Sequence, residues 1–131
     1  MKSKGFETSF RVYSEDVDHM GIVYHANYLK FFERARAELL RSSGKVLPEL
    51  KQQGIQFAIY EINIKYLKPA LLDDRLSIVT DYKQKQATGL LFNQQMLNQS
   101  GDVLSELTVH VVCVNHQMKP IRIPKSFNTD S

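Results

Sequence analysis

Only one long segment of this chain repeats its apolar residues at a helical interval. Tyr28, Phe32, Ala35 and Leu39 are spaced four, three and four, and Leu29 and Leu40 widen the stripe. That spacing puts them on one side of a helix. Lys30, Glu33, Arg34, Glu38 and Arg41 fall mostly on the other side. A helix is predicted from about Val23 to Ser43, with Arg41 in the last turn and Gly44 just past the end. Glu33 with Arg36, and Arg34 with Glu38, are placed to pair along it.

Almost everything else reads with the period of a strand. Phe6, Thr8, Phe10 and Val12 alternate with polar residues up to Tyr13, as in a half-buried strand. Leu47 to Gln53 is a short helix candidate with Pro48 in its first turn. Strands are then predicted over Ile55–Tyr66, Leu76–Lys85, Gly89–Leu97 and Val103–Val114. The first slips register near Tyr60-Glu61, which suggests a bulge. In the second, Val79 interrupts the alternation. The last is apolar on both faces near its end, as a strand flanked on both sides would be. One long helix among some five strands predicts an α+β fold, an antiparallel sheet wrapped around the helix. One helix cannot cover such a sheet, so exposed apolar surface and a homo-oligomer are expected.

The 131 residues suit a single domain over 1–131, with a polar tail fraying from about residue 126. Formal net charge is only +3. That suits a small anionic ligand or an acidic protein but is too slight to argue for nucleic acid. The lone Cys113, in the run Val111-Val112-Cys113-Val114, reads as a buried structural thiol. No apolar run approaches the length of a membrane span, and the first ten residues lack a signal-peptide core. A cytoplasmic protein without a transmembrane segment is expected.

Chemistry concentrates just before the long helix. Glu15, Asp16 and Asp18 precede Gly21, and His25 and Asn27 follow at the helix start. The first turn of a helix carries unpaired N–H groups and partial positive charge, suited to a carbonyl oxygen or an oxyanion. A loop Asp more often caps a turn or is solvated. Here the combination of Asp18, Gly21 and His25 raises the case for a site. If the loop is extended, Asp16 and Asp18 point the same way; if Gly21 bends it, they separate. His25 can be a boundary histidine, an acid or base, or a metal ligand. Asp16, Asp18, His19 and His25 lack an H-E-x-x-H-like spacing, so no metal and no cofactor is expected. His110 and His116 have no local partner and are read as structural. No G-x-S-x-G, Walker loop or G-x-G-x-x-G occurs.

The run Glu15-Asp16-Val17-Asp18-His19-Met20-Gly21-Ile22-Val23-Tyr24-His25-Ala26-Asn27-Tyr28 resembles the signature of the 4-hydroxybenzoyl-CoA thioesterase family of hotdog-fold proteins. The following Leu29-Lys30-Phe31-Phe32-Glu33-Arg34-Ala35-Arg36 is similar to the YbgC-like branch, acyl-CoA thioesterases encoded near the Tol-Pal cell-envelope system. The resemblance continues through Tyr66–Ala70, Leu72–Asp74, Val111–Val114 and Met118–Pro120. It implies a hotdog fold assembled as a dimer or tetramer and metal-free hydrolysis of acyl-CoA. It implies Asp18 as catalytic carboxylate, with His25 as a typical branch residue ranked second. It places the carbonyl-polarising N–H near Tyr24-His25, so Gly21 and Tyr24 are read as substrate-binding. His19 and Met20 stand where the branch commonly has small residues, which bears on the acyl pocket.

Asp18 would either attack the thioester carbonyl or deprotonate a water. Lys65, Lys68, Lys83, Lys85, Lys119, Arg122 and Lys125 are candidate cations for the coenzyme A phosphates, and none is assigned. A competing reading is a non-catalytic hotdog module that binds acyl groups or an acyl-carrier protein; an intact Asp18 argues against it. A hotdog dehydratase would want its carboxylate on the helix and fits less well.

Overall fold

The computed structural model describes residues 5–127. Strand β1 (Phe6–Arg11) is followed by a single 3-10 turn at Ser14–Asp16, the long helix α1 (His25–Ser42) and the short helix α2 (Leu47–Gln52). Strands β2 (Gln56–Tyr66), β3 (Arg75–Gln86), β4 (Gly89–Leu97) and β5 (Val103–Val114) complete the sheet. Its order is β1-β3-β4-β5-β2, and every neighbouring pair is antiparallel. The α+β architecture expected from the change of period is present, with all four later strands and both helices.

Alternation along the strands sorts the sheet into two faces. Leu76, Ile78 and Thr80 of β3, Leu90, Phe92, Gln94 and Met96 of β4, and Leu107, Val109, Val111 and Cys113 of β5 are buried toward the helix. Val79 breaks the apolar alternation because it points to the outer side while Thr80, a polar residue, takes the inward place. From α1, Tyr28, Phe31, Phe32, Ala35 and Leu40 enter this core. Leu29 remains exposed. Phe31 widens the stripe toward Phe10, whose ring lies 5.8 Å from its own. Burial pushes the Cys113 thiol above its ordinary pKa, as expected of an inert structural thiol.

Helix α1 runs 18 residues, about 27 Å. It packs against β1 and β3 and meets β2, at the far edge, at Tyr66, whose ring lies 5.0 Å from that of Tyr28. Across β2, Ile59, Ile62 and Tyr66 stand opposite Val111, Val109 and Ser105 of β5. They share the inner face, yet all three are exposed, Ile59 by 50% and Tyr66 by 46%. Leu67, Leu71 and Leu72, just beyond the strand, are exposed as well. The expected bulge lies between Ile59 and Glu61, and it turns the Tyr60 ring to His110, 5.4 Å away. The C-terminal stretch is anchored at Phe127, which is fully buried against Phe57 and Tyr82 in a 3-10 turn. Residues 128–131 of the expected fraying tail lie outside the described range. Among the described residues no helix is long and apolar enough to cross a membrane.

Candidate active site

The acidic loop is bent, so Asp16 and Asp18 do not act as a like-charged pair on one side. The Asp16 carboxylate folds back, its Oδ2 accepting the Tyr13 N–H at 2.8 Å. Asp18 begins a separate turn. Its N–H donates to the Ile22 carbonyl at 2.9 Å, and the Gly21 N–H donates to the Asp18 carbonyl at 3.0 Å. The three-residue loop His19–Gly21 needs a left-handed residue at its end, and Gly21 supplies it with φ 78°. Asp18 Oδ1 accepts the Met20 N–H at 2.9 Å and, less closely, the Ile22 N–H at 3.4 Å. These bonds fix the carboxylate direction, and Oδ2 takes no hydrogen bond from the described residues.

The base of this turn is tied to the start of α1. Val17 and Val23 form an antiparallel bridge. The Tyr24 N–H donates to the Asp16 carbonyl at 3.2 Å, and Asn27 Nδ2 donates to the same oxygen at 2.9 Å. Tyr24 is the N-cap and makes no side-chain cap bond. The Asn27 N–H reaches the Tyr24 carbonyl at 2.8 Å, whereas the N–H groups of His25 and Ala26 find no acceptor among the described residues. Two free donors at the positive end of a helix therefore lie at the foot of the turn that carries Asp18.

The other side of the helix start is held by aromatic residues far off in sequence. Tyr66 Oη donates to the His25 carbonyl at 3.0 Å. Tyr28 Oη accepts the Ala70 N–H at 2.9 Å, and burial raises the Tyr28 pKa. The Tyr28 and Tyr66 rings meet edge to face at 5.0 Å. His25 is exposed, with its ring 4.5 Å from Tyr24 and 6.4 Å from Tyr66. No hydrogen bond or ion pair joins His25 to Asp18 among the described residues; backbone N–H groups orient Asp18 instead. Local pattern could not find Tyr66, because its contact spans 41 residues. Among the described residues no three His, Cys, Asp or Glu side chains gather into a possible metal site.

Two expected ion pairs on α1 are absent from the ion pairs of the described residues. Arg36 donates to Gln94 Oε1 at 2.9 Å rather than pairing with Glu33. Glu38 faces Arg41 at 3.7 Å rather than Arg34. A helical repeat shows which residues are neighbours on the helix but not what the sheet offers beneath it. A concavity of about 640 Å³ lies elsewhere, on the outer face of the sheet around Asn63, Asp81, Asn93 and Thr108.

Gly21→Ala forces a Cβ into a left-handed conformation with open space around it. It should lower the unfolding free energy by about 1 kcal/mol through backbone strain alone. A urea titration that shows no loss would mean the turn is not held left-handed.

The sequence profile of the Thioesterase-like superfamily matches residues 12–129. The chain is 40% identical to the acyl-CoA thioester hydrolase YbgC of Escherichia coli O6:H1, over 96% of this chain and 95% of that protein. It is also 40% identical to the acyl-CoA thioesterase YbgC of Haemophilus influenzae, over 95% and 93% of the two chains. The crystal structure of a probable thioesterase from Bartonella henselae superposes with a TM-score of 0.85 at 33% identity, over 92% of this chain and 99% of that one. The hotdog sheet and helix, the loop carboxylate beside the helix start and these matches together show that the chain belongs to the thioesterase-like superfamily, as a relative of the YbgC acyl-CoA thioesterases.

Proposed function

We propose that this chain hydrolyses the thioester of acyl-CoA to a free acid and coenzyme A, with Asp18 as base or nucleophile. The observation that carries this reading is the placement of the Asp18 carboxylate on a turn bonded at its base to the start of α1. There the His25 and Ala26 N–H groups remain free to donate to a ligand oxygen. A thioester carbonyl seated on those donors gains negative charge as the tetrahedral intermediate forms, and fixed N–H dipoles stabilise that charge. Asp18 Oδ2 either takes a proton from a water that attacks the carbonyl carbon or attacks it directly. A carbon–oxygen bond forms, the carbon–sulfur bond breaks, and the departing thiolate takes up a proton. On the direct route, water then cleaves the mixed anhydride. Gly21 closes the turn through its left-handed backbone, Tyr24 and the exposed His25 ring line the entrance, and His25 orients the substrate.

In this reading the working form is a homo-oligomer. The eleven-residue strand β2 is a free edge, and Ile59 and Ile62 on its inner face are exposed. A long apolar edge favours pairing with another chain. Tyr66 joins that edge to the helix start through the His25 carbonyl, so a second copy on β2 would also wall the site. An acyl-carrier protein is a further candidate thioester donor.

Asp18→Asn keeps an Oδ1 acceptor for Met20 and Ile22 and removes the base. It should lower kcat on acyl-CoA at least about a hundredfold while Tm hardly moves. Thiol release from a panel of acyl-CoAs measures this; a folded parent inactive on every member would leave the acyl-binding module as the reading. Dilution that dissociates the oligomer should reduce activity per chain, and light scattering that finds a fully active monomer would contradict the shared wall.

A further inference from the structure

The core beneath α1 contains a polar cluster that the hydrolysis scheme leaves unused. Gln94 is buried at the middle of β4, between Phe92 and Met96 on the inner face. Its amide nitrogen donates to the Phe32 carbonyl at 2.9 Å and to Thr80 Oγ1 at 3.0 Å. Its oxygen accepts Arg36 Nη1 at 2.9 Å. Thr80 is its direct cross-strand partner on β3 and is fully buried. Every hydrogen-bonding group of the Gln94 amide is thus assigned, and its orientation is unique.

Such a cluster is a costly way to fill a core. Arg36 is partly buried, and desolvation lowers its pKa, opposed by Glu33 nearby. No carboxylate lies within ion-pair distance of it among the described residues, and its only hydrogen-bond partner is a neutral amide. Apolar residues of similar volume generally replace buried charged groups at no loss of stability. What they cannot replace is direction. If α1 slid by one residue, about 1.5 Å, the bonds to Gln94 would break. Each broken bond would leave a buried group unpaired, at about 1–3 kcal/mol.

The cluster also continues a line of ties along one side of the helix. His25, Tyr28, Phe32 and Arg36 are spaced three, four and four, and they bond to Tyr66, Ala70 and Gln94. We propose that Gln94, with Thr80 and Arg36, is a positioning device that sets α1 along its axis and so holds the His25 and Ala26 N–H groups in register with Asp18. Phe32 is seven residues from His25, about 10 Å along the helix, so a slide at Gln94 carries undiminished to the free donors. This inference rests on the hydrolase reading for its kinetic consequence, but not for the helix placement itself.

The test is the apolar triple variant Thr80→Val/Gln94→Met/Arg36→Met. Its Tm should equal or exceed that of the parent, while kcat on acyl-CoA falls about 10- to 100-fold as the donors lose alignment. KM should stay within about twofold, since the change falls on the transition state. The backbone amide NMR shifts of His25 to Asn27 should move. Gln94→Glu, which keeps the acceptor for Arg36 and loses the donor to Phe32, should show the same split and serves if the triple variant does not fold. Parental kcat together with unmoved amide shifts would overturn the proposal and leave the cluster a packing feature. A parent with no turnover would sink the hydrolase reading instead, and the amide shifts would then decide the positioning on their own.

Discussion

The Asp16 carbonyl accepts two hydrogen bonds, from the Tyr24 N–H and from the Asn27 side chain. Through that one oxygen the acidic loop is closed onto the first turn of α1. The closure consumes the Tyr24 donor and leaves those of His25 and Ala26 free. It also places the Asp18 turn on a short base of paired backbone, Val17 against Val23. A carboxylate and a pair of free N–H groups would otherwise repay their own desolvation by finding local partners. Here the loop supplies just enough bonds to orient Asp18 Oδ1 and stops short of satisfying the helix end.

The helix that carries those donors is held by two kinds of contact. Dispersion and burial of Phe31, Phe32 and Ala35 keep it on the sheet without directional preference. Tyr66, Ala70 and Gln94 add directional bonds at intervals along one side. The division follows from the chemistry of the groups, since apolar area stabilises attachment and hydrogen bonds stabilise register. Cover is uneven as a result. Over β1 and β3 the helix completes the core, while β2 keeps apolar residues in solvent.

Much of this was legible in the chain. The switch from a period of two to a helical stripe located α1 within about two residues at each end, because burial on one side only is what creates the stripe. The slip at Tyr60-Glu61 marked the bulge because an extra residue reverses the alternation. Asp18, Gly21 and His25 stood out as candidates by residue type and order, and Tyr24 through the family resemblance. The bonds that orient Asp18 could not, since they depend on the turn closing between Asp18 and Ile22. Arg36 pointed on paper to Glu33, and the sheet supplied Gln94, 58 positions away. Tyr66 was equally hidden: nothing near it in the chain marks its hydroxyl as the partner of His25.

The central claim is that the start of α1 polarises the thioester carbonyl. Two non-hydrolysable acyl-CoA analogues separate that claim from simple binding: a ketone, in which a methylene replaces the thioester sulfur, and a thioether, which lacks the carbonyl. Titrated into the amide-labelled protein, the ketone should move the His25 and Ala26 N–H resonances downfield, as expected of donors that gain a carbonyl acceptor, and the thioether should not. Equal shifts with both analogues, or none with the ketone at saturation, would contradict the account.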